Sequence, residues 1–176
     1  MVTRESASRR EGYADVRARL TSLLEGEDDW IAALATIACE LYGAFDHFDW
    51  TGFYRVTLPS LLVIGPYQGP HGCLRIPFSK GVCGAAARTL RTQRVDDVTL
   101  FPGYIACSST TRSEIVVPVV SPAGLPLAVL DVDSDEAGAF TEVDQMELER
   151  ICTDLASRFP EGEAALGSKG RGTSSL

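Results

Sequence analysis

Apolar residues recur at helical spacing in three stretches of this chain and in short β-type runs between them. From residue 13 to 24, Val16, Leu20, Leu23 and Leu24 mark one face of a helix that Gly26 ends. A second helix follows, with Asp28 as the expected N-cap and a stripe of Trp30, Leu34, Ile37, Ala38 and Leu41. Cys39 lies beside that stripe and reads as a small core residue. After Asp46 the period changes. Residues 50–56 and 61–67 are β-rich runs split by Thr57-Leu58-Pro59-Ser60, which predicts a hairpin. Residues 73–77 predict a third, shorter strand, and Gly81-Val82-Cys83-Gly84 reads as a turn opening a short helix. Residues 96–112 are polar, punctuated by Pro102 and Gly103, and predict a long functional loop. Residues 114–120 and 125–132 predict a second hairpin around Ser121-Pro122-Ala123-Gly124. Thr141 then caps the last helix, with Asp144 as its capping-box partner and Leu148, Ile151, Cys152, Leu155 and Phe159 as its stripe.

Consecutive hairpins with helices before, between and after them predict an α+β fold, a mainly antiparallel sheet flanked by helices. Residues 1–12 read as a flexible lead-in, 13–160 as a single domain, and 161–176 as a Gly/Ser-rich flexible tail. The length, 176 residues, fits one domain.

Composition narrows the function classes. The formal charge of −8 disfavours binding to a phosphate backbone, so no nucleic-acid partner is expected. No apolar run approaches the roughly 20 residues of a membrane helix, and no secretory leader is evident, so a cytoplasmic location is expected. Ser174-Ser175-Leu176 resembles a peroxisomal address without its Lys, which makes a peroxisome-like organelle the alternative. Five cysteines, an odd number, argue against a structural disulfide framework.

Three of those cysteines, Cys73, Cys83 and Cys107, fall in turns and loops. None forms a close ligand pair, so no metal is expected, although His71 near Cys73 could ligate. Cys83 opens a helix, where unpaired N–H groups and the helix dipole would stabilise a thiolate. Glu114 begins an apolar strand, where a charge is costly unless it points into a polar site. Asp131 and Asp133 flank Val132 and so share one face of their strand, where two like charges raise each other's pKa or await a cation. Trp50 and Tyr54 share a face of the first strand in the same way.

Seven separated segments resemble a known family. They are Trp50-Thr51-Gly52-Phe53-Tyr54, Gly65-Pro66-Tyr67-Gln68-Gly69, Cys73-x-Arg75-Ile76-Pro77, Lys80-Gly81-Val82-Cys83-Gly84, Phe101-Pro102-Gly103-Tyr104-Ile105-Ala106-Cys107, Ser113-Glu114-Ile115-Val116 and Leu130-Asp131-Val132-Asp133-Ser134. Together they look like the GAF-domain free methionine-(R)-sulfoxide reductases. The resemblance implies a GAF-like fold with a six-stranded sheet, no cofactor, free L-methionine (R)-sulfoxide as substrate and thioredoxin as reductant. It also makes a homodimer compatible with the chain. By resemblance, Cys107 would be the nucleophile and Cys73 the main resolving cysteine, with Cys83 an alternative partner. Trp50 and Tyr54 would hold the methyl end and Asp131 the ammonium. Glu114 and Asp133 would bond the sulfoxide oxygen, and backbone N–H groups of Tyr104, Ile105 and Ala106 the carboxylate. Residues 108–112 read as a variable stretch that touches no catalytic group. The rival reading is a non-catalytic GAF-type sensor, which predicts ligand or redox sensing without turnover.

Overall fold

A computed structural model describes residues 4–162. In chain order its elements are α1 (Arg4–Leu23), α2 (Trp30–Ala44), β1 (Trp50–Leu58), β2 (Leu61–Gln68), β3 (Arg75–Pro77), α3 (Gly81–Thr89), β4 (Gln93–Val95), β5 (Ser113–Val120), β6 (Pro126–Ser134) and α4 (Glu142–Arg158). A short 3-10 turn at Val98–Leu100 breaks the long loop. The strands form one sheet in the order β3-β2-β1-β6-β5-β4, every neighbouring pair antiparallel.

Alternation along the two central strands gives the sheet two different faces. On β6, Ala128, Leu130 and Val132 join Phe53, Ile115 and Val117 in one apolar core, covered by Trp30, Leu34 and Leu41 of α2 and Leu148, Ile151 and Leu155 of α4. The opposite face carries Trp50, Tyr54, Val116 and Val129, with Val82, Cys83 and Ala86 of α3 packed on them. Gly84 lets α3 seat closely there: a Cβ at that position would lie 2.6 Å from the Pro77 carbonyl oxygen.

Several boundaries differ from those read from the sequence. Residues 4–12 are helical and continue into the predicted helix rather than forming a lead-in. Their sequence is too polar to show a stripe, but Arg9 is tied down. It donates to the Ala139 carbonyl at 3.0 Å, to His47 Nε2 at 3.1 Å and to the Asp144 carboxylate at 2.7 Å. The N-cap of α2 is Asp29, not Asp28; its side chain accepts from the backbone N–H groups of Ile31 and Ala32. The third strand is shorter than expected and leaves Cys73 outside it. Cys39 is exposed, one position off the buried stripe of α2, and not part of the core. The capping box of Thr141 and Asp144 forms as read. Among the described residues, no helix is long and apolar enough to cross a membrane. Residues 163–176, with the Ser174-Ser175-Leu176 end, lie outside the described part of the chain.

Candidate functional site

The α3 side of the sheet gathers the sulfurs and acids. Cys73 and Cys107, 34 residues apart in the chain, form a disulfide with a Cα–Cα distance of 5.2 Å. Beside it opens a cavity of about 260 Å³, lined by Trp50, Tyr54, Cys107, Thr111, Asp131 and Asp133 among others. The register explains the convergence. Trp50 pairs with Asp133 and Gly52 with Asp131 across β1 and β6, while Glu114 pairs with Asp133 across β5 and β6. All these positions project to the same side. Gly52 makes room for the indole: a Cβ there would lie 2.6 Å from the Trp50 ring. The Trp50 ring stacks on Tyr54 and Tyr67, with centroids 5.8 and 5.3 Å away, and its Nε1 donates to the Pro70 carbonyl at 2.8 Å. An aromatic wall thus faces an acidic one.

Glu114 and Asp131 are buried and Asp133 half-buried, and among the described residues no basic side chain lines the void these three share with Cys83. Burial, reinforced by Asp131 and Asp133, pushes the Glu114 carboxyl well above the ordinary carboxylate range. Burial likewise raises Asp133, with Asp131 and Asp135 adding to the effect and a hydrogen bond from Thr111 opposing it. Burial raises Asp131 too, to about 7, but hydrogen bonds shared with Cys83 and Glu114 pull it back. The bonds shared with Asp131 raise Glu114 and Cys83 in turn. The arrangement therefore favours the protonated form of the Glu114 carboxyl.

Cys83 departs from expectation. It lies in the first turn of α3, yet burial and the neighbouring Asp131 and Glu114 push its thiol up, not down. A partial dipole charge does not outweigh two acids in a dry site. Its Sγ lies 3.9 Å from Glu114 Oε1, to which it donates.

The GAF domain family profile matches residues 26–158. The free methionine-R-sulfoxide reductase of Escherichia coli is 39% identical over 145 residues, which span 82% of this chain and 87% of that protein. GAF domain-containing protein A of Dictyostelium discoideum is 43% identical over 144 residues, 82% of this chain and 90% of that protein. The crystal structure of the free methionine-R-sulfoxide reductase of Neisseria meningitidis in complex with its substrate superposes with a TM-score of 0.80 at 44% identity, covering 87% of this chain and 91% of that one. This chain belongs to the GAF-domain free methionine-(R)-sulfoxide reductase family.

Within that family frame, some residues singled out from the sequence do not converge on the cavity. Trp50, Tyr54, Asp131, Asp133 and Cys107 line it, whereas Cys73 is joined to it through the disulfide. Glu114 and Cys83 line an adjoining smaller void with Tyr104 and Ile105. Ala106 is exposed and lines neither. The Cys107 loop lines the larger cavity through the residues after the cysteine, Ser108, Thr110 and Thr111, beside Pro70, His71 and Gly72 of the loop before Cys73. Thr111 was missed altogether. It is buried, lines the cavity with Asp133, and its hydroxyl lowers the pKa of both Asp133 and Tyr104, so the stretch read as touching no catalytic group does act on one. Nothing in its local sequence signals this, because the chain folds back there: Arg112 N–H donates to the Ser134 carbonyl at 2.8 Å.

Proposed function

We propose that this chain reduces free L-methionine (R)-sulfoxide to methionine, with Cys107 as nucleophile, Cys73 as resolving cysteine and thioredoxin as reductant. The observation that carries this reading is the Cys73–Cys107 disulfide on the rim of an acid-walled cavity. In the reduced protein, the Cys107 thiolate attacks the sulfoxide sulfur, oxygen passes to Cys107 as a sulfenic acid, and methionine leaves. The oxygen needs a hydrogen-bond donor as charge builds on it. Glu114, held protonated by burial and its acidic neighbours, supplies one, with Asp133 as its partner. The Cys73 thiol then displaces water from the sulfenic acid to form the disulfide. Two exchange steps with a dithiol protein restore both thiols and leave that partner oxidised.

The same walls support choice of a free amino acid. Asp131, with an unpaired Oδ1, suits an ammonium group, whose charge favours the carboxylate form. Trp50 and Tyr54 suit the apolar methyl end, and the polar loop after Cys107 offers donors to a carboxylate. A peptide-embedded residue brings neither charge. The test is NADPH consumption with thioredoxin and its reductase, comparing the R epimer, the S epimer and a peptide-bound sulfoxide. Turnover is expected with the free R epimer alone, absent in Cys107→Ser and intermediate in Cys83→Ser. No consumption with the R epimer overturns the reading and favours the sensor.

A further inference from the structure

Cys83, Glu114 and Asp131 present one donor atom each, all within 4.8 Å of one another and all buried. The strands and α3 bring them together from positions too far apart in the chain to form a close ligand pair, which is why the sequence pattern gave no metal signal. The void they line measures about 20 Å³, separate from the 260 Å³ cavity. Room of that size suits about one water or one ion, not an amino acid. Among the described residues, no Lys, Arg or His lines it. Asp131, 5% exposed, lines it and carries one carboxylate oxygen, Oδ1, without a hydrogen-bond partner, and a buried unsatisfied acceptor is costly.

We propose that Cys83, Glu114 and Asp131 form a binding site for a thiophilic divalent cation, of which Zn²⁺ is the fitting case. Thiolate and carboxylate ligands at about 2.3 and 2.0–2.2 Å from zinc place their donor atoms roughly 3.5 Å apart. The 3.9 Å between Cys83 Sγ and Glu114 Oε1 needs only a small contraction to meet that. A sulfur ligand selects Zn²⁺ over Mg²⁺ or Ca²⁺. On binding, the Cys83 S–H bond is replaced by S–Zn and its proton is released, as are the protons held by the Glu114 and Asp131 carboxyls; no electrons move. Three protein ligands leave a fourth position open in a void also lined by Tyr104, Ile105 and Cys107. Under the catalytic reading above, on which this consequence alone rests, zinc removes the groups assigned to the ammonium and the sulfoxide oxygen and so competes with substrate.

The test uses the full chain with its disulfide intact, in a Cys39→Ser background that removes the exposed thiol. Co²⁺ serves as the spectroscopic probe. One equivalent is expected to give a thiolate-to-cobalt charge-transfer band that Zn²⁺ bleaches and Mg²⁺ leaves in place. Cys83→Ser should lose the band, and Asp131→Asn and Glu114→Gln should each weaken binding at least about tenfold, with unchanged far-ultraviolet circular dichroism. If Cys83→Ser fails to fold, the two carboxylate variants decide. No band in the parent protein, a band that survives Cys83→Ser, or affinity unmoved in both carboxylate variants overturns the proposal. Metal binding without sulfoxide turnover would refute the reductase reading alone; turnover without the band would refute the metal site alone.

Discussion

Buried carboxylates occur in two regions of this molecule with opposite surroundings. At the junction of α1 and α4, Asp144 is fully buried yet fully engaged. It accepts from Arg9 at 2.7 Å, from the Tyr13 hydroxyl at 2.9 Å, and from Thr141 N–H and Oγ1 at 2.7 Å each. Nearby, Glu147 pairs with Arg17. On the other side of the sheet, Glu114, Asp131 and Asp133 crowd together with a thiol and, among the described residues, no cationic side chain on their shared wall. The first region spends charge on holding two helices together. The second keeps charge unsatisfied, which lowers stability and leaves the acids poised for something that arrives from outside.

Exchanging acid for amide should separate the two regions. Glu114→Gln is expected to lower sulfoxide turnover by about 10²–10³-fold, the scale of a general-acid contribution, without lowering the melting temperature. Asp144→Asn should do the reverse. Breaking one side of a buried ion pair costs about 3 kcal/mol, a fall in melting temperature of roughly 6–12 °C, with turnover per folded molecule unchanged. Steady-state kinetics and calorimetry on the same preparations check both. A Glu114→Gln protein that melts early, or an Asp144→Asn protein that stays folded but inactive, would erase the distinction.

That contrast was only half legible in the chain. The pairing of Thr141 with Asp144 is local and could be read, but Arg9 lies 135 residues from Asp144 and sits in a segment with no apolar stripe. The alternation Asp131-Val132-Asp133 placed both acids on one face, as β6 has them. The nearness of Cys73 to Cys107 came only from family resemblance, because a 34-residue separation carries no geometric information. Cys83 and Cys39 misled for different reasons. Local helix electrostatics at Cys83 are overruled by acids from two distant strands. At Cys39, one residue of rotation about the helix axis separates core from solvent.

The unsatisfied cluster should also leave a trace in stability against pH. In the folded chain Asp131 keeps its proton up to about pH 7, whereas the unfolded chain gives it up near the ordinary aspartate value of about 3.9. Between those values unfolding releases a proton, so the stability this group contributes is present at low pH and is lost as pH rises through about 7. Asp131→Asn removes that loss. Its melting temperature should exceed the parent's by about 4 °C or more near pH 8, and by much less near pH 5. An equal gain at both would mean the acid is not carrying the cost.

Thr111 gives the finest division between the regions, because it is buried like a structural residue yet its hydroxyl lowers the pKa of a site acid. Its hydroxyl offsets part of the burial penalty on Asp133 and reaches Tyr104 as well. Valine at this position keeps the shape and loses the hydroxyl, so a purely packing role predicts no change in turnover. A positioning role predicts a loss of about fivefold in kcat, the worth of one hydrogen bond near 1 kcal/mol. Thr111→Ser restores the hydroxyl without the methyl and should recover most of that loss. Turnover in Thr111→Val equal to the parent, or a Thr111→Ser protein as impaired as the valine variant, would return Thr111 to the structural side of the molecule.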